Sequence, residues 1–426
     1  MLIDRRRLLA TSATAFGMAA LGLPAFAQEK RIRMFWWGSK ERADRTFKAN
    51  ELYQAKNAGS KIDGETIGWG DYWPRMATQA AGRNLADVIQ MDYRYIFEYA
   101  RRGALLDLTP FVGKQLNLSD FDKNSVDCGK VDSKLYGINL GNNSTAMLTN
   151  KAAWEGAGVK MPTGETSWED FAKLSAELTK AAKKDGFFGS MDSGGLEPSF
   201  EVFVRQRGKN LYNEDGKAGF TAEDAADWFG YWQSMREAKG CVPAEIQALD
   251  KQNIETNPLT MGKAAVAFAH SNQLVGYQAV NPNPLAISAY PHGGAGAKPG
   301  AYLKPSMFFS VAATSKNAEE AAKVINFVIK EADGVKAYGV ERGVPPSSAS
   351  RGLIAPDLDA LGKAQVDYIG DITNKVGPLP PPPPKGAGEI AFLLRRTNEE
   401  VGFGKAKPAD AGKKFLAEAS SILSRA

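Results

Sequence analysis

Short apolar segments typical of β-strands alternate with segments typical of α-helices in the first ninety residues. The order is strand, helix, strand, helix, strand over residues 31–37, 42–58, 62–69, 73–81 and 86–91. Alternation of this kind builds a mostly parallel sheet with helices on both faces. The sequence therefore predicts an α/β fold.

The first 27 residues have the order of a secretory signal peptide. A charged start is followed by an apolar run over residues 8–23 and by the small residues of an Ala25-Phe26-Ala27 cleavage site. Arg5 and Arg6 fit twin-arginine export, with the general secretory route as the alternative. The run is too short to cross a bilayer, which needs about 20 apolar residues. Cleavage after Ala27 would release 399 of the 426 residues into the periplasm, enough for two domains.

Two later features predict how these domains share the chain. A polar stretch from Gly141 to Ser144 breaks an apolar strand pattern and suits a crossover between domains. A strand over residues 307–313 should return the chain to the first domain, which makes both domains discontinuous. We predict an N-terminal lobe of residues 28–143 and 308–350, and a C-terminal lobe of residues 144–307 and 351–426.

The charge balance argues against nucleic acid as a partner. The chain has a formal net charge of +5 at pH 7, which falls to +3 without the leader. Positive and negative residues are interspersed, whereas nucleic-acid binding needs a clustered basic stripe. A small-molecule ligand, neutral or acidic, is the better expectation.

The sequence offers little material for catalysis. His270 and His292 are its only histidines. A histidine-rich metal site or a Ser/His/Asp triad therefore has few residues from which it could be built. The stretch from Gly293 to Gly296 lacks the helix that follows a phosphate-binding loop. We expect no metal, no cofactor and no enzymatic activity. Because carboxylates are plentiful, an exported glycoside hydrolase or lyase remains the enzymatic alternative.

Cys128 and Cys241 are the only cysteines, and two interpretations stay open. An oxidising compartment would allow a disulfide between them. Alternatively, each is a small buried apolar side chain.

Aromatic residues gather where the predicted strands end. Ligands of an open α/β sheet bind beyond the carboxyl ends of its strands, where Trp37, Trp69 and Asp92 would lie. Sugars present apolar C–H faces rimmed by hydroxyl groups, so their sites combine aromatic surfaces with fixed polar groups. The aromatic residues concerned are Trp36, Trp37, Trp69, Tyr72, Trp73, Tyr93 and Tyr95.

The chain resembles the family 1 extracellular solute-binding proteins of carbohydrate ABC importers, the maltose-binding-protein-like group, over essentially all of its mature length. One departure is His270, where the family commonly has Trp before Ser-Asn. The matching stretches are Phe35-Trp36-Trp37-Gly38 with Arg42, Tyr72-Trp73, residues 78–82, residues 86–92, residues 99–105, residues 134–138, Val204-Arg205-Gln206 with Gly208-Lys209, Ser271-Asn272-Gln273, Lys304-Pro305-Ser306 and residues 341–345.

The resemblance implies a periplasmic binding protein-like fold, in which two α/β lobes joined by a hinge close over a sugar bound between them. It also implies partners, namely the membrane permease subunits of an ABC importer with their cytoplasmic ATPase, and a monomeric chain.

The residues hypothesised to bind the sugar divide by chemistry. Trp36, Trp37, Trp69 and Tyr93 would supply apolar surfaces. Gly38 belongs to the same turn as Trp37. The polar residues hypothesised to hydrogen-bond sugar hydroxyl groups are Arg42, Asp71, Asp92, Asn142, Asn143, Asn272 and Arg342.

Structural roles remain open for several of these residues. Asp92 could cap a helix, Arg342 could join parts of one lobe, and Asn142 and Asn143 could form a turn. The ligand itself could also be a polyol, a phosphodiester or a polyamine. A polyamine would need several carboxylates in the cleft, and a phosphate group would need a helix N-terminus and an arginine, which Asp92 opposes.

Overall fold

A computed structural model describes residues 29–121 and 123–425. The predicted signal peptide over residues 1–27 lies outside the described residues. The described strands are β1 (Lys30–Trp37), β2 (Ser60–Ile67), β3 (Val88–Met91), β4 (Lys130–Val131), β5 (Lys134–Leu135), β6 (Ile138–Asn139), β7 (Asn142–Asn143), β8 (Thr145–Asn150), β9 (Val266–His270), β10 (Leu285–Ser288), β11 (Lys304–Pro305) and β12 (Phe308–Val311).

Helices cover most of the remaining described chain, in agreement with the predicted α/β class. They are α1 (Lys40–Lys56), α2 (Trp69–Ala81), α3 (Tyr93–Arg101), α4 (Lys123–Asp127), α5 (Lys151–Ala157), α6 (Trp168–Ala182), α7 (Glu197–Gln206), α8 (Ala222–Glu237), α9 (Ala244–Gln247), α10 (Leu274–Val280), α11 (Ala318–Lys330), α12 (Ala332–Tyr338), α13 (Ser348–Ile354), α14 (Ala360–Ile372), α15 (Ala387–Gly402) and α16 (Pro408–Arg425).

The larger sheet has the strand order β2-β1-β3-β12-β6. Strand β1 pairs in parallel with β2 and β3, whereas β12 is antiparallel to both β3 and β6. The smaller sheet, β10-β8-β9, is antiparallel throughout. The expectation of a mostly parallel sheet therefore holds only for β2-β1-β3. Strand β12 runs the other way because the chain enters it from the opposite half of the molecule.

Two large clusters of buried apolar side chains divide the molecule. The first cluster takes its members from residues 32–140 and 307–338, and the second from residues 147–290 and 387–422. The return of the chain at β12 to the first sheet matches the predicted strand over residues 307–313. The exact boundaries of the predicted lobes stay a prediction, with these clusters as the two cores.

The chain passes between the two clusters at three neighbouring segments. Strand β7 pairs with β11 in antiparallel fashion, and Asn142 exchanges backbone hydrogen bonds of 2.8 and 2.9 Å with Val344. Gly141 lies against this junction, where an added Cβ would stand 2.3 Å from the carbonyl oxygen of Arg342. The crossing segments are thus bonded side by side, which is the arrangement expected of a hinge.

Side-chain caps set the helix starts that face this junction. The Ser39 hydroxyl accepts a hydrogen bond from the Arg42 amide at the start of α1, and the Asp92 carboxylate accepts one from the Arg94 amide at the start of α3. Such caps stabilise a helix by about 1 kcal/mol each. Trp69, predicted at a strand end, is instead the first residue of α2 because Gly68 ends the extended segment and serves as the N-cap.

Cys128 and Cys241 do not form a disulfide among the described residues. Both are buried, Cys128 in the first apolar cluster and Cys241 in the second. Of the two interpretations left open by the sequence, the structure favours small buried side chains.

Candidate functional site

A cavity of about 200 Å³ lies between the two apolar clusters. The first half of the molecule lines it with the end of β1 and the first turns of α1, α2 and α3. The second half lines it with the start of α7, the loop over residues 250–257, the end of β9, and parts of α10 and α15. The carboxyl ends of the parallel strands β1 and β3 therefore point at the cavity, as ligand sites in α/β sheets require. We call this space the cleft cavity.

Aromatic rings form much of its wall. Trp37 packs edge-on against Trp69, with ring centroids 5.0 Å apart, and Tyr95 stacks on Trp73 at 3.5 Å. Tyr290 lines the opposite side. Because the rings hold one another in place, the wall is preorganised for a flat apolar surface.

Arg42 lines the cleft cavity, and its guanidinium group is held in place by Glu341 and by the backbone of Trp37. Its Nε lies 2.9 Å from each carboxylate oxygen of Glu341, and its Nη1 donates to the Trp37 carbonyl oxygen at 3.1 Å. The side chains of Arg42 and Glu341 are 6% and 2% exposed. This ion pair ties α1 to the crossing segment that contains Glu341 and Val344, so the guanidinium group is held rigidly at the cavity wall.

Two asparagines meet at the base of the cavity. Asn143 Nδ2 donates to Asn272 Oδ1 at 2.6 Å, and Asn272 Nδ2 donates to the Glu341 carbonyl oxygen at 3.3 Å. Asn143 Oδ1 is buried and accepts no hydrogen bond from the described residues. A buried acceptor without a partner costs free energy, so this atom is placed to receive a donor from a ligand.

Asp92 combines a structural role with a place in the cavity wall. Besides capping α3, it accepts a hydrogen bond from Lys304 Nζ at 3.0 Å. Burial alone would raise the pKa of the Asp92 carboxyl, but Lys304 and Arg94 hold that pKa below its usual value. The carboxylate is therefore ionised at neutral pH and acts only as an acceptor.

Arg94 and Glu197 form an ion pair that joins α3 to α7 across the cavity. Both side chains are 11% exposed. The buried Arg94 Nε has no hydrogen-bond partner among the described residues, while the guanidinium carbon lies 6.0 Å from the Trp69 ring centroid. One N–H of this arginine is therefore left for a ligand held near Trp69.

Two further titratable groups of the wall have shifted pKa values. Burial, followed by the charge of Lys304, lowers the pKa of His270 to about 3, so its imidazole is neutral. Burial raises the pKa of the Asp250 carboxyl to about 6, against hydrogen bonds that include one from the Gln252 amide at 2.7 Å.

The structure brings seven of the hypothesised binding residues together. They come from the end of β1, from the starts of α1, α2 and α3, from β7 and from the short helix that follows β9. These residues line the cleft cavity: Trp37, Gly38, Arg42, Trp69, Asp92, Asn143 and Asn272.

Trp36 and Arg342 lie elsewhere, inside the first half of the molecule. Trp36 is fully buried against Phe47, because successive residues of a strand point to opposite faces and Trp37 takes the cavity side. Arg342 is 1% exposed and donates to Thr46 Oγ1 at 2.8 Å. Its guanidinium carbon lies 4.2 Å from the Tyr338 ring centroid, so this arginine joins elements of one core.

Asp71, Tyr93 and Asn142 also fall outside the wall of the cleft cavity. Asp71 is exposed in the first turn of α2. Tyr93 packs against Phe97 and lines only a smaller neighbouring space. Asn142 accepts a hydrogen bond from Asn139 at 3.0 Å and lies in the crossing segments as the first residue of β7, so the alternative of turn formation is wrong for this residue.

The hypothesised set omits several polar residues that line the cavity. Lys304 belongs to a stretch that carries the family resemblance, and His270 directly precedes another, which is the signal that could have found them. Glu197 and Asp250 lie in the half of the molecule built around the second apolar cluster and have no local signal, since only the tertiary fold brings them to the cleft. The omitted acidic, basic and histidine residues are Arg94, Glu197, Asp250, His270 and Lys304.

Two searches of the described residues bear on other functions. Across residues 29–121 and 123–425, His, Cys, Asp and Glu side chains form no group of three able to hold a metal ion. None of the helices in these ranges is both long and apolar enough to cross a membrane.

A family model described as bacterial extracellular solute-binding protein matches residues 39–335. A family 1 extracellular solute-binding protein from Alicyclobacillus acidocaldarius is 29% identical, with a TM-score of 0.63, over 93% of this chain and 99% of its own.

Two other solved structures share the fold. The periplasmic oligogalacturonide binding protein of Yersinia enterocolitica, in complex with saturated digalacturonic acid, is 23% identical with a TM-score of 0.84, over 93% of this chain and 99% of its own. An ABC substrate-binding protein of Listeria monocytogenes, in complex with cycloalternan, is 20% identical with a TM-score of 0.79, over 93% and 100%. The predicted fold class, with its two α/β lobes, is confirmed.

Proposed function

This chain belongs to the family of bacterial extracellular solute-binding proteins, and on that premise we propose that its cleft cavity binds a carbohydrate, either an oligosaccharide or a sugar derivative. The observation that carries the proposal is the pairing of an aromatic wall with fixed polar groups on both sides of one cavity. Trp37, Trp69 and Tyr95 present ring surfaces, while Asn143 Oδ1 and Arg94 Nε are buried and have no partner among the described residues.

The charges of the wall support a solute that is recognised through hydroxyl groups. Each cation that lines the cavity is already paired with a carboxylate: Arg42 with Glu341, Arg94 with Glu197, and Lys304 with Asp92. A phosphodiester would have to break such a pair to gain its own partner, and a polyamine, which needs several carboxylates, would find only that of Asp250 outside these pairs among the described residues of the wall. Sugar hydroxyl groups both donate and accept, so they can join these pairs without neutralising either member, and hydrogen bonds to charged groups are strong.

Two fold neighbours hold carbohydrate ligands, an oligogalacturonide and cycloalternan, which supports the same ligand class here. We further propose that the protein works in the periplasm, releases its sugar to the permease subunits of an ABC importer, and catalyses no reaction on it. Export by a cleaved leader and a monomeric state belong to the same proposal.

The direct test is a thermal-shift screen of the mature protein against neutral oligosaccharides, uronides, polyols and polyamines. A ligand at 100 times its dissociation constant stabilises the folded protein by about 2.7 kcal/mol, which raises the Tm by several degrees. We expect shifts only with carbohydrates and no product after prolonged incubation. Stabilisation by polyols or polyamines alone, or conversion of a sugar, would overturn the proposal.

Replacing Trp69 with alanine should weaken binding of the carbohydrate found in this screen by about 1–3 kcal/mol, the range for loss of one stacking aromatic ring. Trp69 is partly exposed and opens the first turn of α2, but its ring packs on Trp37 and Trp73, so a modest fall in Tm should accompany the loss of affinity. Isothermal titration calorimetry measures the affinity, and the Tm measures the fold.

Phe403→Ala is the matched control because Phe403 is a half-exposed aromatic residue, 49% accessible, outside the cleft cavity. Its affinity should equal that of the wild type. Equal affinities in Trp69→Ala and Phe403→Ala would remove Trp69 from the site.

Gly388→Ala should lower carbohydrate affinity about tenfold by opposing approach of the two halves. A Cβ at Gly388 would lie 2.3 Å from Cε1 of Tyr95, which links α15 of the second cluster to α3 of the first. Tyr95 has little freedom to yield because it stacks on Trp73, and overpacking of this kind costs about 1–3 kcal/mol. Calorimetry measures affinity, and small-angle scattering measures the separation of the halves.

Gly370→Ala is the control, since Gly370 is also helical but a Cβ there meets no atom within 4 Å. This variant should bind as the wild type does. If both variants bind with wild-type affinity, contact between α3 and α15 does not accompany binding.

A further inference from the structure

A second, smaller space adjoins the cleft cavity and has a volume of about 30 Å³. We call it the side chamber. The two spaces share the polar residues Asp92, Arg94, Glu197, His270 and Lys304, so a group attached to a ligand in the cleft cavity can reach the chamber.

Two hydroxyl groups in that wall are buried without a partner. Tyr212 is 4% exposed and Thr145 is 7% exposed, and neither Tyr212 OH nor Thr145 Oγ1 makes a hydrogen bond to any described residue. Burying a hydroxyl group without a hydrogen bond costs about 1–3 kcal/mol by protein mutational data. A ligand group that bonds to both would recover that free energy.

The third polar feature is the Glu201 carboxyl, which accepts a hydrogen bond from Tyr302 OH at 2.9 Å. Burial, followed by the charge of Glu197, raises the pKa of the Glu201 carboxyl to about 7. Three acidic side chains, those of Asp92, Glu197 and Glu201, face the chamber beside Arg94 and Lys304, each of which already has a carboxylate partner. A ligand carboxylate would meet like charge here, whereas a hydroxyl group would meet both donors and acceptors.

The size of the chamber limits the ligand group further. A water molecule needs about 10–15 Å³ of such volume, so about 30 Å³ admits roughly two heavy atoms and not a sugar ring. An exocyclic hydroxymethyl group has one carbon and one oxygen.

The roof of the chamber is stiff. Pro380, Pro381 and Pro383 form it, and proline fixes the backbone dihedral angle φ. The segment before them is anchored by Arg205, whose Nη2 donates to the Pro378 carbonyl oxygen and whose Nε donates to that of Gly300, both at 2.8 Å. The chamber therefore cannot easily expand to take a larger group.

We infer that the side chamber is a subsite for the hydroxymethyl group of a sugar ring held in the cleft cavity, with Tyr212, Thr145 and Glu201 as its hydrogen-bonding residues. The inference rests on the proposed function and deepens it, because it selects hexoses over their 6-deoxy and uronic counterparts.

Saturation-transfer NMR titrations with two sugar series test the subsite. The probes are D-galactose, D-fucose and D-galacturonate, and D-glucose, 6-deoxy-D-glucose and D-glucuronate. The wild type should bind each hexose about tenfold more tightly than its two relatives. Tyr212→Phe should reduce that preference to about twofold while folding as stably as the wild type, because Tyr212 OH has no partner to lose among the described residues.

Tyr338→Phe is the matched control. Tyr338 is also a buried tyrosine whose hydroxyl group has no described partner, but it lies outside both spaces. It should keep the full preference. An unchanged preference in Tyr212→Phe, a wild-type preference for the uronates, or binding of none of the six sugars while oligosaccharides bind would overturn the subsite alone. Failure of every carbohydrate to bind would overturn the proposed function as well.

Discussion

Replacing Arg236 with methionine should lower the free energy of unfolding by about 3–5 kcal/mol, the usual cost of leaving a buried charge without its partner. Arg236 and Asp192 are 7% and 2% exposed, and the Arg236 Nη2 lies 2.6 Å from Asp192 Oδ2. The same arginine donates to Asn398 Oδ1 at 2.7 Å. The network joins α8 to α15, so the second half of the molecule should be the part that destabilises. Urea titration followed by circular dichroism measures the loss.

The double variant Arg236→Met, Asp192→Asn separates charge from packing. It removes both ionic groups, while the amide oxygen introduced by Asp192→Asn can still accept the hydrogen bond from the Gly194 amide, which measures 2.8 Å in the wild type. At least half of the lost stability should return. Lys40→Met removes the exposed partner of Asp44 and should leave the urea midpoint unchanged. If the double variant is as unstable as Arg236→Met, an unpaired charge is not the cause.

Sequence patterns predicted the site best where secondary structure alone places a residue. Trp37 ends β1 and Asp92 follows β3, and these two strands are parallel neighbours in one sheet. The predicted strands alone therefore placed both residues at the same edge of the sheet. The Trp36-Trp37 pair shows the limit of the same reasoning. Neighbours on a strand must face opposite sides, so only one of two adjacent tryptophans can line the cavity, and Trp36 enters the core.

Charged residues were harder to place because a charge pattern does not reveal the partner. Arg342 is of a residue type common in ligand-binding sites, yet Thr46, Gln90 and Tyr338 surround it inside one core. Glu197 reaches Arg94 only after the chain has crossed between the halves, 103 residues later in the sequence. Contacts of this kind depend on the packing of the two cores and carry no local sequence signal.

Replacing Asp250 with asparagine should change how stability depends on pH. The pKa of this carboxyl is about 6 in the folded protein because the group is buried, whereas an unfolded aspartate titrates near its ordinary value of about 3.9. Between these two values the folded state binds more protons than the unfolded state. The contribution of Asp250 to wild-type stability is therefore highest below pH 4, falls as the pH rises towards 6, and stays reduced above pH 6.

The variant lacks this ionisation, so its stability relative to the wild type should rise by about 2 kcal/mol between pH 4 and pH 7. Comparing the two proteins at each pH removes the contributions of other titrating groups. It also removes the constant cost of an amide that replaces an acceptor of the Gln247 and Asn257 side chains. Urea titrations at both pH values give the free energies of unfolding. A difference between variant and wild type that is the same at pH 4 and pH 7 would mean that Asp250 is ionised in the folded protein throughout this range, and that its buried hydrogen bonds fully compensate for its loss of hydration.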